Sequence, residues 1–182
     1  MVFYAKKDST CINLALDSDS YIQLLRDTAI RIQSKEGSLI EIDYDPQKVL
    51  LLADGGFITV ENDCISLYES GGSTIVMNGG NVMISDTNGA VVHLVSGAIN
   101  IADATGAMVS VTSGGIVLSD ITGSMVQLLD GTITMKDVSG SMVTMAGGTV
   151  TMTAAGTSVA LGGGSAVITA PTIKLVGKVE MN

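Results

Sequence analysis

Large aromatic side chains are nearly missing from this chain of 182 residues: Trp is absent, and Phe and Tyr together make up 3%. Ordinary globular cores lean on such rings, so a compact core of that kind is not expected. Proline is scarce too, at 2 residues, whereas Gly reaches 22 and Met 10. No run of 18 apolar residues occurs, which leaves no candidate transmembrane helix. The opening residues Met1 to Lys7 lack the apolar segment of a secretory signal, so synthesis without a signal peptide is expected. Cys11 and Cys64 stand far apart and match no metal spacing or redox pair; they read as structural thiols, with a disulfide as the alternative. Basic residues number 9 against 18 acidic ones, a formal charge of −9 that argues against a nucleic-acid partner. No nucleophile sits in a catalytic motif and His93 is the one histidine, so no enzyme is expected. No catalytic residue, metal ligand, cofactor or cofactor-binding residue is assigned.

What the chain does have is a period. Gly72, Gly89, Gly106, Gly123 and Gly140 stand 17 residues apart, as do Gly80, Gly97, Gly114, Gly131 and Gly148. Asp86, Asp103, Asp120 and Asp137 keep the same step. Between the glycines lie apolar-x-apolar triplets whose outer residues form the expected repeat core: Val92 and Leu94, Ile99 and Ile101, Val109 and Val111, Ile116 and Leu118, Val126 and Leu128, Ile133 and Met135, Val143 and Met145. Such alternation is that of half-buried strands, two to each repeat. Self-similarity at a short fixed period marks a solenoid or fibrous array.

The glycines follow Ser, Thr or Asn on one side of the repeat and pair with small residues on the other, which is turn chemistry. A phosphate-cradling loop does not fit, because no Lys-Ser or Lys-Thr follows and no helix stands behind it. The Asp series is expected to cap corners by accepting backbone N–H bonds, with an ion-binding ladder as the alternative. His93, in the middle of its triplet, is expected to face solvent. Met108, Met125 and Met142 form a corner-filling or surface stripe, and 17–20 and 44–46 read as loops.

Triplets continue outside the regular repeat, back to Ile12-Asn13-Leu14 and forward through Val159-Ala160-Leu161, a strand near Val167 to Thr169, Ile173-Lys174-Leu175 and Val179-Glu180-Met181. About twenty strands and no helix of note are expected. Composition shifts along the way. Residues 1–70 hold 12 of the 18 acidic residues and only 3 glycines, and read as a charged N-terminal collar or attachment part. Residues 71–182 hold 19 glycines and read as a regular shaft with its distal end. No linker separates the two parts.

Two buried aliphatics per strand give little core. Each contributes about 1.5–3 kcal/mol, while ordering each residue costs about 1–2 kcal/mol in backbone entropy. Cover from further copies is therefore expected, and a homotrimer is preferred to a flattened single-chain roll. The one acid per repeat lacks the second half of a calcium-roll pattern.

The Val/Ile-x-Leu/Met strands and the two glycine series resemble the C-terminal shaft of the central spike of contractile phage tails, and of the VgrG proteins of type VI secretion. That resemblance implies an elongated repetitive β-helix, an intertwined triple-stranded β-helix in a homotrimer, that transmits force through a target cell envelope. It implies a baseplate hub at the N-terminal end and a separate PAAR-type tip at the C-terminal end, because the chain has no His-x-His of its own. It places the protein in a virion tail baseplate or an extracellular injection particle. An OB-fold domain has no room upstream of Ile12, so it is expected on a separate protein, or this chain is an excised shaft. Two other readings stay open. One is a trimeric β-helical stalk of a tail fibre or adhesin; the other is a single-chain β-solenoid that forms filaments.

Overall fold

A computed structural model describes residues 4–7, 11–15, 19–25, 29–44 and 47–174. All regular structure in them is β, as the triplets indicate. The chain divides into two compact units, Met1–Ser96 and Gly97–Asn182. The first holds β1 (Tyr4–Lys7), β2 (Cys11–Ala15), β3 (Tyr21–Leu25), β4 (Ala29–Gln33), β5 (Leu39–Asp43), β6 (Lys48–Ala53), β7 (Gly56–Glu61), β8 (Cys64–Glu69), β9 (Thr74–Asn78), β10 (Asn81–Ser85) and β11 (Val91–Val95). The second holds β12 (Ala98–Ala102), β13 (Met108–Thr112), β14 (Gly115–Ser119), β15 (Met125–Leu129), β16 (Thr132–Lys136), β17 (Met142–Ala146), β18 (Thr149–Ala154), β19 (Thr157–Gly162) and β20 (Ser165–Thr169). The compositional change at 70/71 falls within the first unit, where β8 and β9 are paired from Cys64↔Asn78 to Tyr68↔Thr74.

Within each unit every strand pairs antiparallel with the next one in sequence, a meander of hairpins. Val, Ile and Thr favour this extended backbone because their branched side chains pack well on a pleated surface. From β12 to β18 the connections alternate between five and two residues, and that alternation is the origin of the period. Strand β13, the two residues Ser113 and Gly114, strand β14 and the five-residue loop 120–124 complete one 17-residue step.

The two-residue turns are mostly of the kind that matches strand twist. Asp130 and Gly131, at φ 48° and 76°, have positive φ at both central positions, as a type I′ hairpin requires. The β13–β14 turn departs from this. Gly114 is not in the left-handed region; the glycine requirement has moved to Gly115, where a Cβ would run into the Leu128 carbonyl oxygen. The glycine series is thus a corner series whose role slips by one residue here.

Strand β1 lies in a stretch where no triplet is visible, and pairs Ala5 with Leu14. At the other end β20 is formed, whereas Ile173 and Lys174 lie outside any strand. The remaining expectations, Leu175 and Val179 to Met181, lie outside the described residues.

Each unit is one layer thick. Among the described residues the only buried apolar side chain is Ala29 and the only buried polar one is Ser66. The core that the triplets promise is therefore not closed within this chain.

Candidate functional site: an uncovered apolar face

Strict alternation puts the outer residues of every triplet on one face of its sheet. Antiparallel register then aligns them into two rows per unit. In the second unit one row runs Ile101, Val109, Leu118, Val126, Met135, Val143, Met152, Val159, each opposite the next. The other runs Ile99, Val111, Ile116, Leu128, Ile133, Met145, Val150, Leu161. The first unit repeats the arrangement. One row is Leu14, Ile22, Ile32, Ile40, Leu51, Ile58, Leu67, Ile75, Ile84, Val92, and the other runs from Ile12 to Leu94. No polar residue interrupts any of the four rows. The residues expected to form the repeat core are thus brought together as two continuous stripes.

The stripes have no cover. Ile101 is 45% exposed, Leu118 41% and Met135 40%. The chain exposes 12738 Å², where a folded monomer of its mass exposes roughly 8,200 Å². Contiguous apolar patches beyond a few hundred Å² are rare on monomers and mark interaction surfaces. A groove of about 960 Å³ follows the first row of the second unit, with Val109, Val126 and Val143 on its floor and Asp103, Asp120 and Asp137 at its rim. A second groove, of about 990 Å³, follows Ile40, Ile58 and Ile75 in the first unit.

The opposite face carries the middle residues of the triplets and is held by polar cross-strand pairs. Ser110 donates to Asn100 at 2.8 Å, and Tyr21 donates to Gln33 at 2.7 Å. Arg31 and Glu41, directly opposite each other, form an ion pair at 2.6 Å. That bond holds the Glu41 carboxyl below its ordinary range, while desolvation and the Glu41 charge raise that of Asp43. His93 lies on this face, half-buried and opposite Met83. Met125 and Met142 are half-buried there, and Met108 is more exposed. Cys64 is a free thiol with its sulfur 3.3 Å from the Ser66 hydroxyl.

The Asp series sits where corner capping needs it. In each five-residue loop the Asp N–H donates to the carbonyl four residues on, and the Gly N–H donates back to the Asp carbonyl. The carboxylate then accepts backbone N–H bonds, as from Ser124 to Asp120 at 2.9 Å and from Ser141 to Asp137 at 2.8 Å. These bonds, with those from the Thr105, Thr122 and Ser139 hydroxyls to Asp103, Asp120 and Asp137, hold the four carboxyls below their ordinary range. The same backbone closure occurs at Ser34–Ser38 and Glu69–Ser73, where Ser and Glu replace Asp. Those two loops lie upstream of the Asp series, yet a Gly three residues on and a Ser four residues on mark them in the sequence. Among the described residues no group of three or more His, Cys, Asp or Glu is placed to hold a metal ion.

No family model matches the chain, and no curated protein matches its sequence. Solved structures do. The chain is similar to the wild-type TCP10 domain of Danio rerio CPAP, solved in complex with a peptide of Danio rerio STIL, at 13% identity and a TM-score of 0.57. That match covers 92% of this chain and 99% of the other. It is also similar to the G-box domain of the microcephaly protein CPAP, at 12% identity and a TM-score of 0.56, over 79% of this chain and 99% of that one. The likeness is one of fold. At such identity it carries the strand arrangement and nothing of a shared activity.

Proposed function

We propose that this chain is the shaft protein of a membrane-piercing spike, in a contractile phage tail or a related injection system. The observation that carries the reading is the set of unbroken apolar rows, which one chain leaves open to water. Closing them on equivalent rows of two further copies turns each single layer into one side of a three-sided prism with a dry axis. At about 25 cal/mol per Å² of apolar surface, that closure supplies the stabilisation a single layer lacks. Such a prism shares three copies and an apolar axis with the triple-stranded β-helix that the repeat pattern resembles, but the hairpin pairing within each chain sets its copies side by side rather than intertwined. Its work is mechanical rather than catalytic. Tight hairpins and capped loops leave little slack along the repeat, which suits force transmission. In this reading a baseplate hub holds the N-terminal end, a PAAR-type tip sits at the other, and the target is a cell envelope.

Immuno-electron microscopy of the native particle tests the function itself. Antibody raised against this chain is expected to label the baseplate end of contractile particles. Label spread over cells or soluble complexes, with none on such particles, would end the spike reading.

A second reading is favoured by the fold likeness. The TCP10 domain of Danio rerio CPAP, similar in fold, was solved in complex with a peptide of Danio rerio STIL; in this second reading the chain is a scaffold that holds a peptide. A monomer in solution with a peptide retained through purification would favour it over the shaft.

A further inference from the structure

On one margin of the first unit a short connection interrupts a run of longer ones. On the margin that carries the loops Ser34–Ser38, Glu69–Ser73 and Asp86–Ala90, the β6–β7 connection turns in only two residues, Asp54 and Gly55. The short turn leaves a notch of about 380 Å³ between its longer neighbours. Leu52, Phe57 and Tyr68 form its apolar part, and Glu36, Asp54 and Glu69 its acidic part. Phe57 and Tyr68 are register partners whose rings stack at 4.5 Å. The Ser70 N–H donates to the Gly55 carbonyl at 2.6 Å, which ties one wall to the short turn. Leu52, Phe57 and Tyr68 alternate with Leu51, Ile58 and Leu67, so they lie on the face opposite the apolar rows. The same three side chains also border the groove that follows Ile40, Ile58 and Ile75.

We propose that this notch docks an extended cationic segment of another protein, with an aliphatic or aromatic side chain against Leu52 and the stacked rings and an Arg or Lys among the three acids. Charge selects this occupant. No basic side chain lines the notch, and among the described residues neither Glu36 nor Asp54 is in an ion pair. A guanidinium or ammonium group gains both from the carboxylates and from the faces of Phe57 and Tyr68. A second copy of this chain would bring the same acidic margin, Asp86 included, against these acids. A bare metal ion lacks a ligand set there. The proposal does not rest on the spike reading, since the notch is formed within one chain.

Fluorescence anisotropy on the full chain tests it, with the labelled peptide acetyl-Arg-Leu-Arg-Phe-Arg-amide and its Gln-Leu-Gln-Phe-Gln counterpart as probes. Saturable binding of the Arg peptide alone is expected, weakened by added salt. The double substitution Glu36→Gln with Asp54→Asn should weaken it about tenfold or more, and Tyr68→Ala should weaken it too. Asp130→Asn, at a turn of the second unit, should leave it unchanged. Glu36 and Asp54 are exposed and outside the strand ladder, so the double variant stays folded and carries the test if Tyr68→Ala does not. Equal binding to the double variant, or equal uptake of the Gln peptide, would overturn the proposal. So would efficient disulfide formation between copies through Glu36→Cys, which would place a second copy of the chain in the notch.

Discussion

Asp103 collects four hydrogen bonds on one carboxylate oxygen: from the Thr105 N–H and hydroxyl at 2.8 Å each, the Gly106 N–H at 2.8 Å and the Ala107 N–H at 3.0 Å. One side chain thus satisfies the Thr105 and Ala107 N–H groups, which the loop would otherwise leave to water, and shares that of Gly106 with the Asp103 carbonyl. Asp103→Ala is expected to lower the melting temperature by a few degrees, and Asp103→Asn, which keeps an acceptor oxygen, by less; differential scanning calorimetry of the pair checks this. The protonation sign follows from the same bonds. Folded Asp86, Asp103, Asp120 and Asp137 titrate below the ordinary value of 3.8, so their contribution is fully present above that value. It is lost as pH falls through the folded values. The gap in melting temperature between wild type and Asp103→Ala should therefore be constant from neutral pH to about pH 5 and close in stronger acid. A gap that widened in acid would contradict the capping role. At this scale the sequence was legible in part. Asp and Gly announced the regular loops, but Ser34 and Glu69 close theirs without an Asp, marked only by the Gly and Ser that follow, because backbone closure needs the glycine and the spacing more than the aspartate.

Each repeat is a strand pair joined by a two-residue turn and followed by a five-residue loop, so strands enter and leave it in the same phase. Deleting 103–119, one full repeat, joins Ala102 to Asp120 and keeps every apolar residue on its face. Deleting 103–118 shifts the register by one and turns the following strands over. Circular dichroism and thermal melts should find the first variant folded and the second unfolded or aggregated. Faces can be told apart in the same way. Leu118→Asp puts a charge in an apolar row that the account closes, at a cost of several kcal/mol, and is expected to block self-association. Gln127→Asp, on the other face and half-buried, is expected to leave association intact; size-exclusion chromatography separates the two outcomes. Strand number and facing were readable because alternation and turn residues are local signals. Strand β1 was not, since Tyr4-Ala5-Lys6-Lys7 holds no apolar triplet and is paired only through Leu14 and its neighbours on β2. The hairpin pairing was not readable either, because a 17-residue period fits a coil rung as well as a hairpin step.

Across the whole molecule the open question of the sequence was what covers the core, and the answer is that this chain does not. A surface of 12738 Å², against roughly 8,200 Å² for a folded monomer of this mass, leaves several thousand Å² in excess. A stable protein–protein interface needs about 1,200–2,000 Å² in total. The apolar rows are part of that surface, and their sameness from strand to strand makes the same rows on another copy a fitting cover. Composition pointed this way through the missing aromatics and the thin strands, but covering partners leave no pattern in one chain's sequence. The most direct test is sedimentation equilibrium of the purified chain in native buffer. The account predicts a single species at three times 18.6 kDa, unchanged over a hundredfold dilution. A stable monomer at 18.6 kDa would contradict it.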